Sequence, residues 1–184
     1  MTVINGGTAI IDTNKTQISK TEWVDNEDAV RPGKLLIDDL TVAGAGDGTA
    51  SSVIADTEGE IKINTLTTAG AVLDLTSREA GLTVGPVSIA DSTVDVSTKT
   101  DIVTEDERIE DSIVTVTSSE GGLTTGTLEI TYSTIDVSTK ADIVTEDERI
   151  ADSEVTVTSS EGGLTTGMVE IETARSKSAR RATS

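Results

Sequence analysis

Apolar and polar residues alternate at every second position over much of this chain. In residues 92–98 and again in 112–118, valine alternates with threonine, serine or aspartate. The same alternation returns at Leu128-Glu-Ile130, shortly after a Gly121-Gly122 pair. A two-residue period is typical of a strand with one buried and one exposed face. The pattern therefore predicts an all-β protein of many short strands.

The alternating segments belong to a tandem repeat. Residues 92–132 and 133–173 align without a gap at an offset of 41, and 33 of the 41 positions are identical. Residues 51–91 form a decayed copy at the same offset, which matches the middle copy at 12 of 41 positions. A fixed period of this length indicates a repeat architecture. We therefore predict three gapless units over 51–173.

Each unit is also doubled internally at about 20 residues, which favours a parallel β-solenoid with one coil per half-unit. Stacked coils lie about 4.8 Å apart, so equivalent residues form columns. Two inward columns are predicted: Val94, Val114, Ile135 and Val155 in one, and Val96, Val116, Val137 and Val157 in the other. Where the units differ in character, as at Ile113 and Glu154, we expect solvent-facing positions.

Two features leave alternatives open. Gly121-Gly122 and Gly162-Gly163 are also compatible with hairpin turns, which would make the chain a string of small antiparallel β modules. Thr104 with Glu107, and their copies at 145 and 148, match the spacing of a helical capping box. A single helical turn is therefore expected at each of these corners.

The flanking regions differ from the repeats. Residues 35–50 are a candidate earlier coil, Ala9-Ile10-Ile11 is a candidate strand, and residues 23–33 have the character of an acidic arm or linker. We predict an N-terminal arm and capping or attachment region over 1–50, a three-unit β-repeat domain over 51–173, and a basic C-terminal tail over 174–184.

The composition narrows the possible chemistry. The sequence has no Cys and no His, and its only aromatic residues are Trp23 and Tyr132. Disulfides, thiolate nucleophiles and imidazole catalysis are therefore excluded. The acidic stretch 105–111 lacks the ligand spacing of an EF-hand, so a solvated acidic face is the better interpretation. We predict no catalytic, cofactor-binding or metal-binding residues and no enzyme activity.

Threonines recur at outward positions in Thr115-Val-Thr117 and in Thr156-Val-Thr158. Such runs resemble the flat threonine ladders of ice-binding solenoids. Threonine is also a favourable outward residue in any strand, and we prefer that interpretation.

The charge is large and unevenly placed. The net charge is −19, yet the last eleven residues contain four bases and no acid. The acidic body should repel nucleic acid and anionic membranes, and neither is expected as a partner. We predict that the tail cations bind an acidic surface of a neighbouring subunit or shell protein: Arg175, Lys177, Arg180 and Arg181. No secretory signal and no membrane-spanning segment are expected.

The acidic, Cys-free, Thr- and Val-rich composition resembles that of proteins from extreme halophiles. Together with the repeated DIVTEDERI segment at 101–109 and 142–150, the chain resembles a structural protein of a haloarchaeal tailed virus. The resemblance implies a non-enzymatic virion protein, a head decoration, turret, tail fibre or spike, assembled in the host cytoplasm. A solenoid has two open ends with unpaired strand edges, so we also predict a symmetric homo-oligomer, trimer or pentamer, that contacts other shell or tail proteins.

A cellular β-solenoid is the alternative to the viral interpretation. The coil length and the lack of enzymatic motifs resemble those of a bactofilin-like filament subunit. A surface adhesin is the other cellular possibility.

Overall fold

The computed structural model describes the backbone of residues 2–3, 8–12, 15–19, 22–25, 34–44, 48–172 and 175–180, and the side chains of 34–44 and 48–172. All regular structure in these ranges is β-strand, and the described part contains no helix. The strands, numbered in chain order, are β1 Thr2–Val3, β2 Thr8–Asp12, β3 Lys15–Ser19, β4 Glu22–Asp25, β5 Leu35–Ala43, β6 Ser51–Thr57, β7 Ile61–Ala69, β8 Ala71–Ser77, β9 Leu82–Val84, β10 Val87–Ala90, β11 Thr93–Thr98, β12 Ile102–Thr104, β13 Glu107–Glu110, β14 Ile113–Ser118, β15 Leu123–Thr125, β16 Leu128–Thr131, β17 Thr134–Thr139, β18 Ile143–Thr145, β19 Glu148–Ala151, β20 Glu154–Ser159, β21 Leu164–Thr165, β22 Val169–Glu172 and β23 Arg175–Arg180.

The strands stack in three parallel columns, which makes the protein a β-solenoid. Column 1 is an eight-stranded sheet in the order β2-β6-β8-β11-β14-β17-β20-β23. Column 2 runs β9-β12-β15-β18-β21, and column 3 runs β10-β13-β16-β19-β22. The long strand β7 joins columns 2 and 3, because its first half pairs with β9 and its second half with β10. The predicted solenoid is confirmed, and the string of antiparallel modules is wrong.

One coil takes 20 or 21 residues in alternation. Along column 1, Thr93 pairs with Ile113, Ile113 with Thr134, and Thr134 with Glu154. The extra residue lies in the turn between columns 1 and 2, which spans three residues at 99–101 and four at 119–122. The 41-residue sequence repeat is therefore two successive coils with different turns.

The core consists of stacked aliphatic side chains inside the coils. Val94, Val96, Ile135 and Val137 are buried, as predicted. The residues of the two predicted inward columns pair in register on successive rungs. The repeat also identified the outward side correctly, because the position held by Ile113 and Glu154 is exposed in both coils. Branched side chains suit this arrangement, since each one packs on its equivalents above and below.

One local expectation, the helical turn at residues 104–107, is wrong. Residues 102–104 and 107–110 are strands, so no helical turn forms at the Thr104–Glu107 corner. The cross-coil hydrogen bonds of columns 2 and 3 use the backbone groups that a helix would have required. Trp23 lies in β4, which pairs antiparallel with β3. The rest of the expected acidic arm or linker, residues 26–33, lies outside the described residues.

The same sheets extend beyond the three repeat units. The candidate coil at 35–50 is confirmed in β5, which pairs in parallel with β7 over eight residues. Further out, β2 pairs with β6, and β23 pairs with β20. Column 1 is thus continuous from β2 to β23.

Candidate interaction surfaces

The corner between columns 3 and 1, which we call the left-handed corner, turns through one residue with positive φ in each coil. These residues are Gly70 (φ 60°), Asp91 (48°), Asp111 (47°), Tyr132 (49°) and Asp152 (46°). Glycine and aspartate tolerate this region, whereas a bulky side chain is an outlier there. Holding Tyr132 in this conformation costs about 1–2 kcal/mol. Tyr132 is therefore less favourable for the backbone at this position than the aspartate or glycine of the other coils.

A ladder of buried serines holds this corner from the inside. Each serine hydroxyl donates to the carbonyl two residues before it, at 2.6 or 2.7 Å. Each hydroxyl oxygen also accepts a hydrogen bond from a backbone amide of the preceding coil, at 3.0–3.2 Å. The serines are Ser92, Ser112, Ser133 and Ser153. Consecutive coils are thus joined by side-chain bonds as well as by the sheets.

Tyr132 presents its side chain to solvent and is 62 % exposed. The amide of Tyr132 donates to the carbonyl of Ala151, and the amide of Asp111 donates to that of Thr131. Asp111 and Asp152 therefore occupy the corner one rung above and one rung below Tyr132. Ile113, 54 % exposed, pairs with Thr134, which is two residues beyond Tyr132. The register thus places an exposed aromatic residue and an exposed aliphatic residue near the same corner, with Asp111 and Asp152 on the adjacent rungs.

This surface was not predicted from the sequence, although the repeat contains a signal for it. Tyr132 and Ile113 stand at two of the eight positions where the nearly identical units differ. Their counterparts in the next unit are Thr173 and Glu154. A change from polar to large and apolar within a copied unit is the kind of difference that marks a contact surface.

The corner between columns 2 and 3 was expected to be an acidic surface, and this is only partly correct. Glu105 and Asp106 are exposed, but Glu107 turns toward the interior, where it accepts a hydrogen bond from the Thr104 hydroxyl. Burial raises the pKa of the Glu107 carboxyl, and the hydrogen bond from Thr104 acts in the opposite direction. Glu107 lies two residues before buried Ile109 in β13, so the two side chains are on the same face of the strand. This two-residue spacing is the sequence signal from which the inward position of Glu107 could have been predicted.

Glu107 and its copy Glu148 contribute to the wall of an internal cavity of about 140 Å³. Most of the lining is aliphatic, and it extends from Leu66 to Ile171. A core without aromatic residues leaves such space because valine and isoleucine are short.

The acidic corners do not stack directly on each other. Glu107 pairs with Leu128, and Leu128 pairs with Glu148, so one coil separates the two acidic segments. The carboxylates of Asp106 and Asp147 accept hydrogen bonds from the backbone amides of Thr127 and Met168, respectively, at 2.9 Å. In the described part of the chain, no group of three or more acidic side chains is placed to hold a metal ion.

The outward side of column 1 is mostly polar, apart from Ile54, Val72 and Ile113, and its residues alternate from coil to coil. Thr115 pairs with Asp95 on one side and with Asp136 on the other. Thr117 likewise lies between Ser97 and Ser138. The threonines therefore do not form a continuous ladder. Asp74 and Asp95, in contrast, are direct neighbours on adjacent rungs.

Three of the four predicted partner-binding cations lie in β23. The backbone register places Arg175 beside Glu154, Lys177 beside Thr156, and Arg180 beside Ser159. Arg181 lies outside the described residues. Docking of these four cations on another subunit stays a prediction.

Cations in the body of the solenoid pair with acids on neighbouring rungs. Lys34 bonds Glu60 at 3.0 Å, and Lys99 bonds Glu79 at 2.5 Å. The other cross-rung pairs are Arg78 with Asp56, Arg108 with Glu129, and Lys140 with Glu161. These exposed pairs each contribute little to stability.

The fold and its surfaces define the chain as a β-solenoid protein built from tandem coils. Comparisons with protein-family models, with characterised proteins and with solved structures find no match. None of the described residues belongs to a helix long and apolar enough to cross a membrane.

Proposed function

We propose that this chain is a non-enzymatic structural protein of a virion, which decorates the capsid or forms a turret, fibre or spike of a halophilic virus. The observation that carries the structural role is the continuity of column 1 from β2 to β23. Eight hydrogen-bonded rungs about 4.8 Å apart make a rod whose length is set by the number of coils. Such a rod is suited to holding two attachment points at a fixed distance.

The halophilic part of the proposal rests on charge, and the viral part rests on the resemblance carried by the repeated segments at 101–109 and 142–150. A net charge of −19 on 184 residues keeps a protein hydrated and soluble in concentrated salt. At 1 M salt the Debye length is about 3 Å, so repulsion between neighbouring carboxylates is strongly screened. In this role the chain forms a symmetric trimer or pentamer, and its basic tail contacts other subunits or shell proteins.

The experiment that tests this proposal locates the protein in the culture that produces it. Particles are purified on a density gradient, and the fractions are probed with an antibody against the recombinant chain. We expect the protein to co-sediment with particles and immunogold labels to lie on their surface. Recovery of the protein only from cells would contradict the virion role.

A cellular filament subunit is the second candidate, and one observation favours it. Val169 and Ile171 stand at positions that are inward in earlier coils, yet they are 43 % and 47 % exposed on the last rung of column 3. End-to-end stacking of a second copy would bury these side chains. Electron microscopy of the purified chain in molar salt separates the candidates, because long unbranched filaments would favour the cellular role over discrete oligomers.

A further inference from the structure

We propose that the left-handed corner around Tyr132 is the docking site for the basic C-terminal segment, residues 174–184, of a second copy of this chain. The inference deepens the proposed structural role, on which it rests, by naming the surface and the segment that join two subunits. Tyr132, Ile113 and the flanking Asp111 and Asp152 form the site.

The backbone conformation of Tyr132 sets this corner apart from the others. Every other coil described at this corner uses aspartate or glycine, and Tyr132 alone places a bulky residue at positive φ. Its ring is mostly exposed, so packing inside the protein does not explain the choice. Strained and exposed residues of this kind concentrate at sites of contact. Exposed tyrosines are also frequent anchors of protein interfaces.

The charge around the ring is negative. Asp111 and Asp152 flank Tyr132 on adjacent rungs, and Asp136 is exposed on column 1 nearby. Two such corners facing each other would bring like charges together, which disfavours a symmetric contact. A cationic segment has the opposite property. An arginine or lysine can lie over the tyrosine face within about 6 Å of the ring centre and pair with a carboxylate beside it.

The C-terminal segment is the source of the cations. Residues 174–184 hold four of the 14 bases of the chain and no acid. Five bases of the solenoid body are already paired with acids on neighbouring rungs. The aliphatic stems of arginine and lysine also give the segment apolar surface that can cover Ile113.

A contact through the outer end of the segment joins two molecules. Strand β23 runs parallel to β20, so the backbone of Arg175 lies beside Glu154 near the left-handed corner, and that of Arg180 lies at the opposite end of column 1. Arg180 is therefore remote from the Tyr132 of its own chain and can reach this site only on a second copy. A contact between a segment of one copy and a different surface of the next is heterologous, and it closes into a ring if the rotation permits. A trimer or pentamer is such a ring.

The test uses the full-length chain with the quadruple change Arg175→Gln, Lys177→Gln, Arg180→Gln and Arg181→Gln. This variant keeps the corner and removes the cations. Sedimentation velocity should show oligomers for the unchanged chain and monomers for the variant. A fluorescent peptide with the sequence of residues 174–184 should bind the variant, and fluorescence anisotropy measures its affinity.

The corner is then changed in the same background. Tyr132→Asn removes the ring without adding charge and is better suited to positive φ, so the melting temperature should rise by about 2–4 °C. The affinity for the peptide should fall about tenfold, the loss expected for a stacked cation. Tyr132→Asp should also weaken binding, whereas attraction by charge alone would strengthen it. Ile113→Thr, which restores the residue of the neighbouring coils, should weaken binding, and Val103→Thr on column 2 should not.

A direct signal comes from the single tyrosine of the sequence. Incorporated 3-fluorotyrosine gives one ¹⁹F resonance, which should shift when the peptide is added. If the quadruple variant does not fold, the same contact can be tested with the unchanged chain. Excess peptide should then compete for the corner and dissociate the oligomers into monomers.

Two results would overturn the contact. One is peptide binding that is unchanged in Tyr132→Asn, and the other is assembly of the folded quadruple variant at the level of the unchanged chain. In the second case the structural role would stand, because the oligomers would form through another surface. A chain that is monomeric in every form, at high concentration and in molar salt, would instead contradict the oligomeric role itself.

Discussion

The backbone amide of Ser112 donates a hydrogen bond to the side-chain oxygen of Ser133, one coil further along, with 3.1 Å between the two atoms. The Ser133 hydroxyl in turn donates to the carbonyl of Thr131 at 2.7 Å. A single buried hydroxyl thus satisfies a donor of one coil and an acceptor of the next. This arrangement recurs at each described left-handed corner from Ser92 to Ser153.

Replacement of Ser133 by alanine should lower the free energy of unfolding by about 1–3 kcal/mol, because a buried amide and a buried carbonyl each lose a partner. Chemical denaturation monitored by circular dichroism measures the effect. Ser119→Ala is the control, since Ser119 lies in an exposed turn. Equal stability of the two variants would show that the serine ladder does not hold the corner.

Gly122 and Gly163 occupy the same position in two successive units and should respond differently to substitution. A Cβ on Gly122 would lie 2.2 Å from the carbonyl oxygen of Asp142 in the next coil. A Cβ on Gly163 would meet only a side-chain oxygen of Asp142, at 3.8 Å. We expect Gly122→Ala to cost about 1–3 kcal/mol or more, and Gly163→Ala to cost much less. Thermal melts of both variants decide this, and similar losses would contradict the stacking of the two turns.

Glu107→Gln should stabilise the protein at neutral pH but have little effect in acid. Burial raises the folded-state pKa of Glu107 above its ordinary value of 4.5. Its contribution to stability is therefore fully present below the unfolded pKa and is lost as the pH rises through the folded pKa. The difference in melting temperature between Glu107→Gln and the unchanged chain should grow from pH 4 to pH 8.

The control for this pH series is Glu105→Gln, because Glu105 is exposed at the same corner. If the melting-temperature difference from the unchanged chain varied with pH in the same way for both variants, the Glu107 carboxyl would be solvated like that of Glu105. The prediction would then be wrong.

Salt should stabilise the protein, with Asp74 and Asp95 as one identifiable source. These two aspartates are register partners on adjacent rungs of column 1, and like charges in direct opposition destabilise a sheet. Asp95→Thr should raise stability by about 0.2–1 kcal/mol in dilute buffer. The gain should shrink in molar salt, where the charges are screened.

Asp136→Thr is the matched control for the salt experiment, since Asp136 pairs with Thr115 and Thr156 and not with an acid. For the unchanged chain we expect a steep rise of the melting temperature from dilute buffer to molar salt. A flat curve would remove the argument for a halophilic protein.

The repeat and the alternation of residues were enough to predict the solenoid and its interior. The side-chain period of a strand is two, so a run such as Val94-Asp-Val96 has only one way to face a core. Copies at a fixed offset then place equivalent residues on successive rungs, which is why the burial of Ile135 and Val137 followed from the sequence.

Only the tertiary structure determined the conformations of the corners. A threonine and a glutamate three residues apart can meet at a helix start or at a bend between strands, and the Thr104–Glu107 hydrogen bond forms at the bend. The coil stacking also sets which residue takes positive φ, because each corner must align with those above and below it. Tyr132 therefore became recognisable as an exposed and strained residue only when the coils were stacked, since its backbone conformation is set by neighbouring rungs and not by its own sequence.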